Sequence, residues 1–183
     1  DDYRMAARFE KLEKFHVDAG FEQFRVWYDG SAGYFRPTNT SFTLYDEDLS
    51  LTRSRAWLEL GVFTPNQTLL TFRYERRARD GTKDSTHWAD SNLTAPYGTR
   101  SVVPTFYDFD EVTHSFSVDA GNESKEDVKW QVGARYTETQ LNNRRHSRRR
   151  PSESADRIVT TKDETKTDMF AAHGFYLRKV NEK

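Results

Sequence analysis

Cysteine is absent from the chain, which excludes a disulfide framework, thiolate metal ligands and a thiol nucleophile. Long apolar runs are absent too. No stretch approaches the roughly 20 consecutive apolar residues that a membrane-crossing helix needs, so helical spans are excluded. Charge of one sign is also missing. The 28 Lys and Arg stand against 29 Asp and Glu for a net −1, so no global field draws nucleic acid to the chain. The five histidines, His16, His87, His114, His146 and His173, form no H-x-x-x-H pair, so no zinc site is assigned. Phosphate-binding, dinucleotide-binding and nucleophile-elbow patterns do not occur, so neither a cofactor site nor a catalytic residue is assigned and the chain is not read as an enzyme.

Aromatic residues, by contrast, are plentiful. They make up 14% of a chain that is 31% charged, with thirteen Phe and nine Tyr. The mean hydropathy of −0.93 is low. That does not exclude a transmembrane β-barrel, in which only every second strand residue meets lipid and the loops are free to be charged.

Residues 128–140 (VKWQVGARYTETQ) state the pattern most clearly. Val128, Trp130, Val132, Ala134 and Tyr136 alternate with Lys129, Gln131, Gly133, Arg135 and Thr137, a period of two. The same alternation predicts strands over residues 3–11, 15–28, 53–63, 68–77, 113–121 and 168–180. In residues 15–28 the apolar phase flips after Gln23, which predicts either a bulge or the strand leaving its buried zone. Thr64-Pro65-Asn66-Gln67 predicts a tight turn, with proline presetting the turn and asparagine tolerating the left-handed region. Residues 29–52, 78–112 and 141–167 are polar, turn-rich and without clear alternation, and predict three long loops.

The expected fold is therefore all-β: an antiparallel up-and-down meander of about seven long strands. Short turns near residues 13, 65, 124 and 181 alternate with long loops, the layout of a transmembrane barrel. Bacterial barrels close with even strand counts from about eight, so residues 1–183 are expected to form one meander, a segment of a larger barrel. A soluble antiparallel β-domain that binds carbohydrate or protein through its loops is the alternative. Its best support is the mixed faces of residues 53–63, where Trp57 and Phe63 share a face with Arg55 and Glu59, and of residues 168–180.

Two sets of residues stand out as candidate functional groups. Arg55, Glu59, Arg73, Glu75 and Arg135 fall on the polar faces of predicted strands, where a barrel would line its lumen with a charge ladder. Arg144, Arg145, Arg148, Arg149 and Arg150 crowd one predicted loop and suit an anionic partner such as a phosphate group; the bland reading is a solvated loop balanced by nearby acids. The acidic stretches at residues 46–48 and 108–111 lack the spaced ligands and glycine of an EF-hand loop, so they too are read as solvated.

Three strings, SRAWLELGVFTPNQTLLTFRYERRARDGTKDSTHW (residues 54–88), PTFYDFDE (104–111) and NNRRHSRRRPSESADRIVT (142–160), together resemble the large outer-membrane barrels related to the decahaem-associated porin component of porin–cytochrome conduits. The resemblance implies a wide barrel in the bacterial outer membrane that sheathes a periplasmic multihaem cytochrome, so that electrons cross the membrane. No C-x-x-C-H haem-attachment motif occurs, so the chain itself would carry no haem.

Overall fold

The period-two segments pair with their sequence neighbours, as short turns favour. The computed structural model describes residues 2–12, 14–28, 31–35, 40–43, 49–90, 100–122, 128–149 and 157–179. The strands are β1 (Tyr3–Lys11), β2 (Phe15–Trp27), β3 (Ser31–Phe35), β4 (Thr40–Thr43), β5 (Ser50–Phe63), β6 (Leu69–Asp90), β7 (Arg100–Asn122), β8 (Val128–Arg149) and β9 (Arg157–Arg178). Seven of them form one antiparallel sheet in the order β1-β2-β5-β6-β7-β8-β9, and β3 and β4 form a separate hairpin. The hairpin lies against β6 and β7 and leads into the end of β5, where Leu49 and Leu51 are buried. The all-β antiparallel meander expected from the alternation is what the chain forms.

The three predicted long loops are largely strand. Residues 78–90 extend β6, residues 100–112 extend β7, and residues 141–149 and 157–167 extend β8 and β9. Residues 29–52 likewise hold β3, β4 and the start of β5. The β6–β7 register runs without a break from Leu69↔Gly121 to Asp90↔Arg100. Alternation fails as a signal there because apolar and polar residues mix on both faces, with Phe106 on one and Tyr107 and Phe109 on the other, while the backbone ladder, which needs no side-chain pattern, continues.

Asp80-Gly81 reads as a turn in sequence, yet Gly81 is mid-strand with a φ of +127°. A Cβ at that position would run into the Ser50 carbonyl, so the glycine permits close approach of β5 rather than a reversal. The phase flip after Gln23 involves no bulge, since β2 keeps one register with β5 from Phe15↔Val62 to Trp27↔Ser50. The strand simply passes out of its apolar zone. In the β5–β6 turn the left-handed residue is Gln67, with a φ of 61°, and not Asn66. Thr64 closes that turn, its N–H donating to the Thr68 carbonyl at 2.8 Å and its carbonyl accepting from Gln67 N–H at 2.9 Å. The predicted turn at residues 123–127, the acidic residues 46–48, Arg150 and the expected turn at residues 181–183 lie outside the described residues.

Because paired residues share a face, the register sorts every strand at once. One face carries Phe15, Val17, Ala19 and Phe21 of β2 beside Ala56, Leu58, Leu60 and Val62 of β5. It continues through Leu70, Phe72 and Tyr74 of β6 and Phe116, Val118 and Ala120 of β7. It ends on Trp130, Val132, Ala134 and Tyr136 of β8 against Phe170, Ala172 and Tyr176 of β9. This apolar band crosses all seven strands and is exposed, with Leu58 at 43%, Phe72 at 48% and Val132 at 50%.

Among the described residues only Leu49 and Leu51 are buried apolar residues. The chain exposes 12899 Å², against roughly 9,200 Å² for a compact monomer of its 21.5 kDa mass. Among the described residues the seven-stranded sheet has nothing packed on its apolar face.

Candidate functional site

The opposite face is built from the alternate residues and is charged where the apolar band is hydrophobic. Strand β6 supplies Arg73, Glu75, Arg77, Arg79 and Lys83 on this side, the consequence of basic residues at every second position. β5 supplies Arg55 and Glu59, paired opposite Arg77 and Arg73.

Glu75 is the hub. Its carboxylate accepts from the Arg55 guanidinium at 2.9 Å and from Arg73 at 3.0 Å, and Arg77 Nε donates to its other oxygen. Arg73 also donates to Glu59 at 3.0 Å, whose other oxygen lies 3.1 Å from His16 Nε2. Arg55 reaches Glu22 at 3.5 Å. The chain His16–Glu59–Arg73–Glu75–Arg55–Glu22 thus ties β2, β5 and β6 across one face. The Glu75 side chain is only 10% exposed, so charge-assisted hydrogen bonds from three guanidinium groups offset its loss of water.

Four of the five predicted lumen charges, Arg55, Glu59, Arg73 and Glu75, meet in this network. Arg135 shares the face, opposite Ser117 of β7 and Ala171 of β9, but pairs with nothing among the described residues. It does line the same open depression of about 410 Å³ as Arg55, Arg73, Glu75 and Arg77. Beside the depression, hydroxyl pairs Thr113–Thr139 and Ser115–Thr137, each 3.2 Å apart, bridge β7 and β8.

Four arginines of the five-arginine run lie in a strand and not in a loop. Arg144, Arg145, Arg148 and Arg149 all lie within β8, and Arg144 and Arg145, adjacent in sequence, fall on opposite faces. Arg145, opposite Tyr107, falls on the charged face, and Arg144, opposite Asp108, on the other. A strand of period two splits any contiguous cluster in this way.

Trp57 and Phe63, which seemed to spoil the polar face of β5, have different explanations. Trp57 lies over Gly20, where a Cβ would collide with the indole. Its Nε1 donates to Asp18, and the Arg55 guanidinium stacks 5.1 Å from its ring centroid. His16 over Gly61 and His173 over Gly133 repeat the device, His173 lying 3.1 Å from Asp119. Phe63 sits at the turn end of β5, its N–H donating to the Lys14 carbonyl. Met169, Phe175 and Leu177 of the edge strand β9 also fall on the charged face and are exposed; the structure offers no account of them.

Glu22, His16, Arg77 and Arg79 belong to the network or its extension and are not among the predicted site residues. Continuing the parity of Arg73 and Glu75 along β6 would have found the two arginines. Glu22 and His16 needed the register with β5. No group of three or more His, Asp or Glu is placed to hold a metal among the described residues. Comparisons with family models, curated proteins and solved structures find no match.

Proposed function

We propose that this chain is part of the wall of an outer-membrane β-barrel, acting as a pore or as a scaffold that sheathes a partner. The observation that carries this reading is the apolar band running uninterrupted across seven strands with a charged network behind it. Spanning strands of about 9–11 residues, apolar outward and polar inward, with aromatic residues at both borders, have this pattern. Trp130 and Tyr176 lie at one border, and Tyr74, Tyr136 and Phe170 at the other.

Magnitudes support lipid over water as the band's surroundings. Leu58, Leu60, Val62, Phe72, Phe116, Val118, Val132 and Phe170 are each 40% exposed or more. Covering each would contribute about 1 kcal/mol, half of the roughly 1.5–3 kcal/mol for complete burial. The sum, about 8 kcal/mol, is comparable with the whole net stability of a domain, roughly 5–15 kcal/mol. Beyond the band β6 to β9 continue with charged and aromatic residues mixed on both faces, Phe106 on one and Tyr107 and Phe109 on the other, which suits strands standing clear of the bilayer.

The resemblance to porin components of electron conduits makes a periplasmic multihaem cytochrome the proposed occupant of the lumen, with the charged face as its contact surface. Expressed with its native gene context, the protein should fractionate with the outer membrane, migrate faster before heating than after, and bring haem with it. Recovery as a folded protein without detergent would overturn the barrel reading and favour a soluble β-domain whose apolar face is covered by protein. Outer-membrane recovery without haem would retain the barrel and remove the cytochrome.

A further inference from the structure

The arginines of β6 do not end at the charge network. From residue 73 to 83 the charged face of this strand reads Arg73, Glu75, Arg77, Arg79, Gly81, Lys83, four cations and one carboxylate. A chain of net charge −1 has thus sorted a basic stripe onto one face. The stripe leads out of the level of the apolar band into a cleft of about 640 Å³, whose wall includes Arg79, Lys83, Tyr107, Phe109, Asn143 and Arg145.

Three independent features of the cleft point to a ligand. First, the Nε–H groups of Arg79 and Arg145 are buried and have no hydrogen-bond partner among the described residues; a buried donor left unpaired costs about 1–3 kcal/mol. Arg145 makes no other hydrogen bond or ion pair there either, and Arg79 has only a long contact to Glu111 at 3.5 Å. Second, the rings of Tyr107 and Phe109 stack 5.9 Å apart at 21°, giving an aromatic floor. The Arg79 guanidinium already lies 3.9 Å from the Phe109 centroid. Third, the acids do not cancel the charge. On the charged face three cationic side chains, Arg79, Lys83 and Arg145, line the cleft against Asp163. Lys162 belongs to the opposite face, where it pairs with Glu164 at 2.8 Å.

We infer that this cleft binds an oxyanion carried on a sugar ring. Arg145, Arg79 and Lys83 hold the phosphate or carboxylate, Asn143 takes a hydroxyl, and the ring lies on Tyr107 and Phe109. Arginine forks match oxyanions in a bidentate way, and a cleft of this size suits one or two sugar units. The inference rests on the barrel-wall reading in one respect, that the charged face is the lumen through which such a ligand arrives. Free sugar phosphates and the phosphorylated core sugars of an outer-membrane glycolipid share this chemistry.

The test is isothermal titration of the detergent-folded protein with glucose 6-phosphate, inorganic phosphate and glucose. Heat-modifiable migration of the same sample reports on the barrel reading separately. Glucose 6-phosphate should bind, glucose should not, and Arg145→Gln and Lys83→Gln should each weaken binding about tenfold. Arg8→Gln removes a charge from the same face outside the cleft and should change the affinity less than twofold. Phenylglyoxal modification of the unmutated protein gives a readout that needs no variant: the sugar phosphate should protect Arg145 and not Arg8. Inorganic phosphate binding as tightly as the sugar phosphate would overturn the sugar-linked site, and weaker binding would support it. Absence of binding, equal binding of glucose, or equal losses in the Arg8 and Arg145 variants would overturn the proposal.

Discussion

At the scale of the residue, the charged face is held by partnerships of unequal worth. Glu75 is 10% exposed and accepts from three arginines, whereas Arg77, one of its donors, is 67% exposed. Replacing the acceptor strands three cations around a nearly buried site; replacing the exposed donor removes one screened contact. Glu75→Gln is therefore expected to destabilise the folded protein by about 2 kcal/mol, and Arg77→Gln by less than about 1 kcal/mol. Urea titration of the detergent-folded protein measures both, and equal losses would deny Glu75 its role as hub.

The glycines sort in the same way. A methyl on Gly20 meets the Trp57 ring, while one on Gly174 meets only ordinary contacts near 3.4 Å. Gly20→Ala should cost about 1–3 kcal/mol through overpacking and Gly174→Ala close to nothing, as read from thermal midpoints.

At the scale of the element, each strand is a ribbon with two environments. On β7, Ser117 and Val118 are adjacent in sequence and opposite in facing, paired with Arg73 and Phe72. If lipid covers the band, Val118→Arg places a guanidinium in hydrocarbon at a cost of about 2–4 kcal/mol. Ser117→Gln puts a long uncharged polar side chain on the charged face between Arg73 and Arg135 and should fall within about 0.5 kcal/mol of the parent. Folding free energies in lipid vesicles decide it. A tolerated Val118→Arg would mean that water faces the band, since this residue is 47% exposed in the sheet alone.

At the scale of the whole molecule, the sheet is open in the described chain. β1 and β9 each pair on one side, and every described residue of both is exposed. An unpaired edge is a template for further strands, and in a barrel both edges are taken up. If the sheet closes into a barrel in the membrane, backbone amides on the outer edge of β9 exchange slowly there, at rates like those of β7. Fast exchange there would leave the sheet open. With no native cysteine, single-cysteine spin labels report each face cleanly. Labels at Leu60, Val132 and Phe170 should favour collisions with oxygen, and labels at Ser115 and Thr137 with a water-soluble nickel complex.

Much of this was legible in the sequence, and the rest was withheld for physical reasons. Alternation is written wherever a strand separates two unlike environments, so the strand cores, the apolar band and four members of the charge network, Arg55, Glu59, Arg73 and Glu75, could be read directly. It vanishes where polar and apolar residues mix on both faces, which is why residues 78–90, 100–112 and 141–149 read as loops although they are paired strand. The arginines at 144–149 formed one cluster in sequence and two faces in the fold, because facing is set by parity and not by proximity along the chain. The sequence by itself determined an all-β meander and which residues share a face within each strand. Only the tertiary structure decided which strands lie side by side and in what register. That register brought Arg55, Arg73 and Arg77 around one carboxylate, set Trp57 over Gly20, and brought Arg79 and Arg145 from separate strands into one cleft. Hydrogen-bonded ladders fix such meetings between residues distant in sequence, and no local pattern records them.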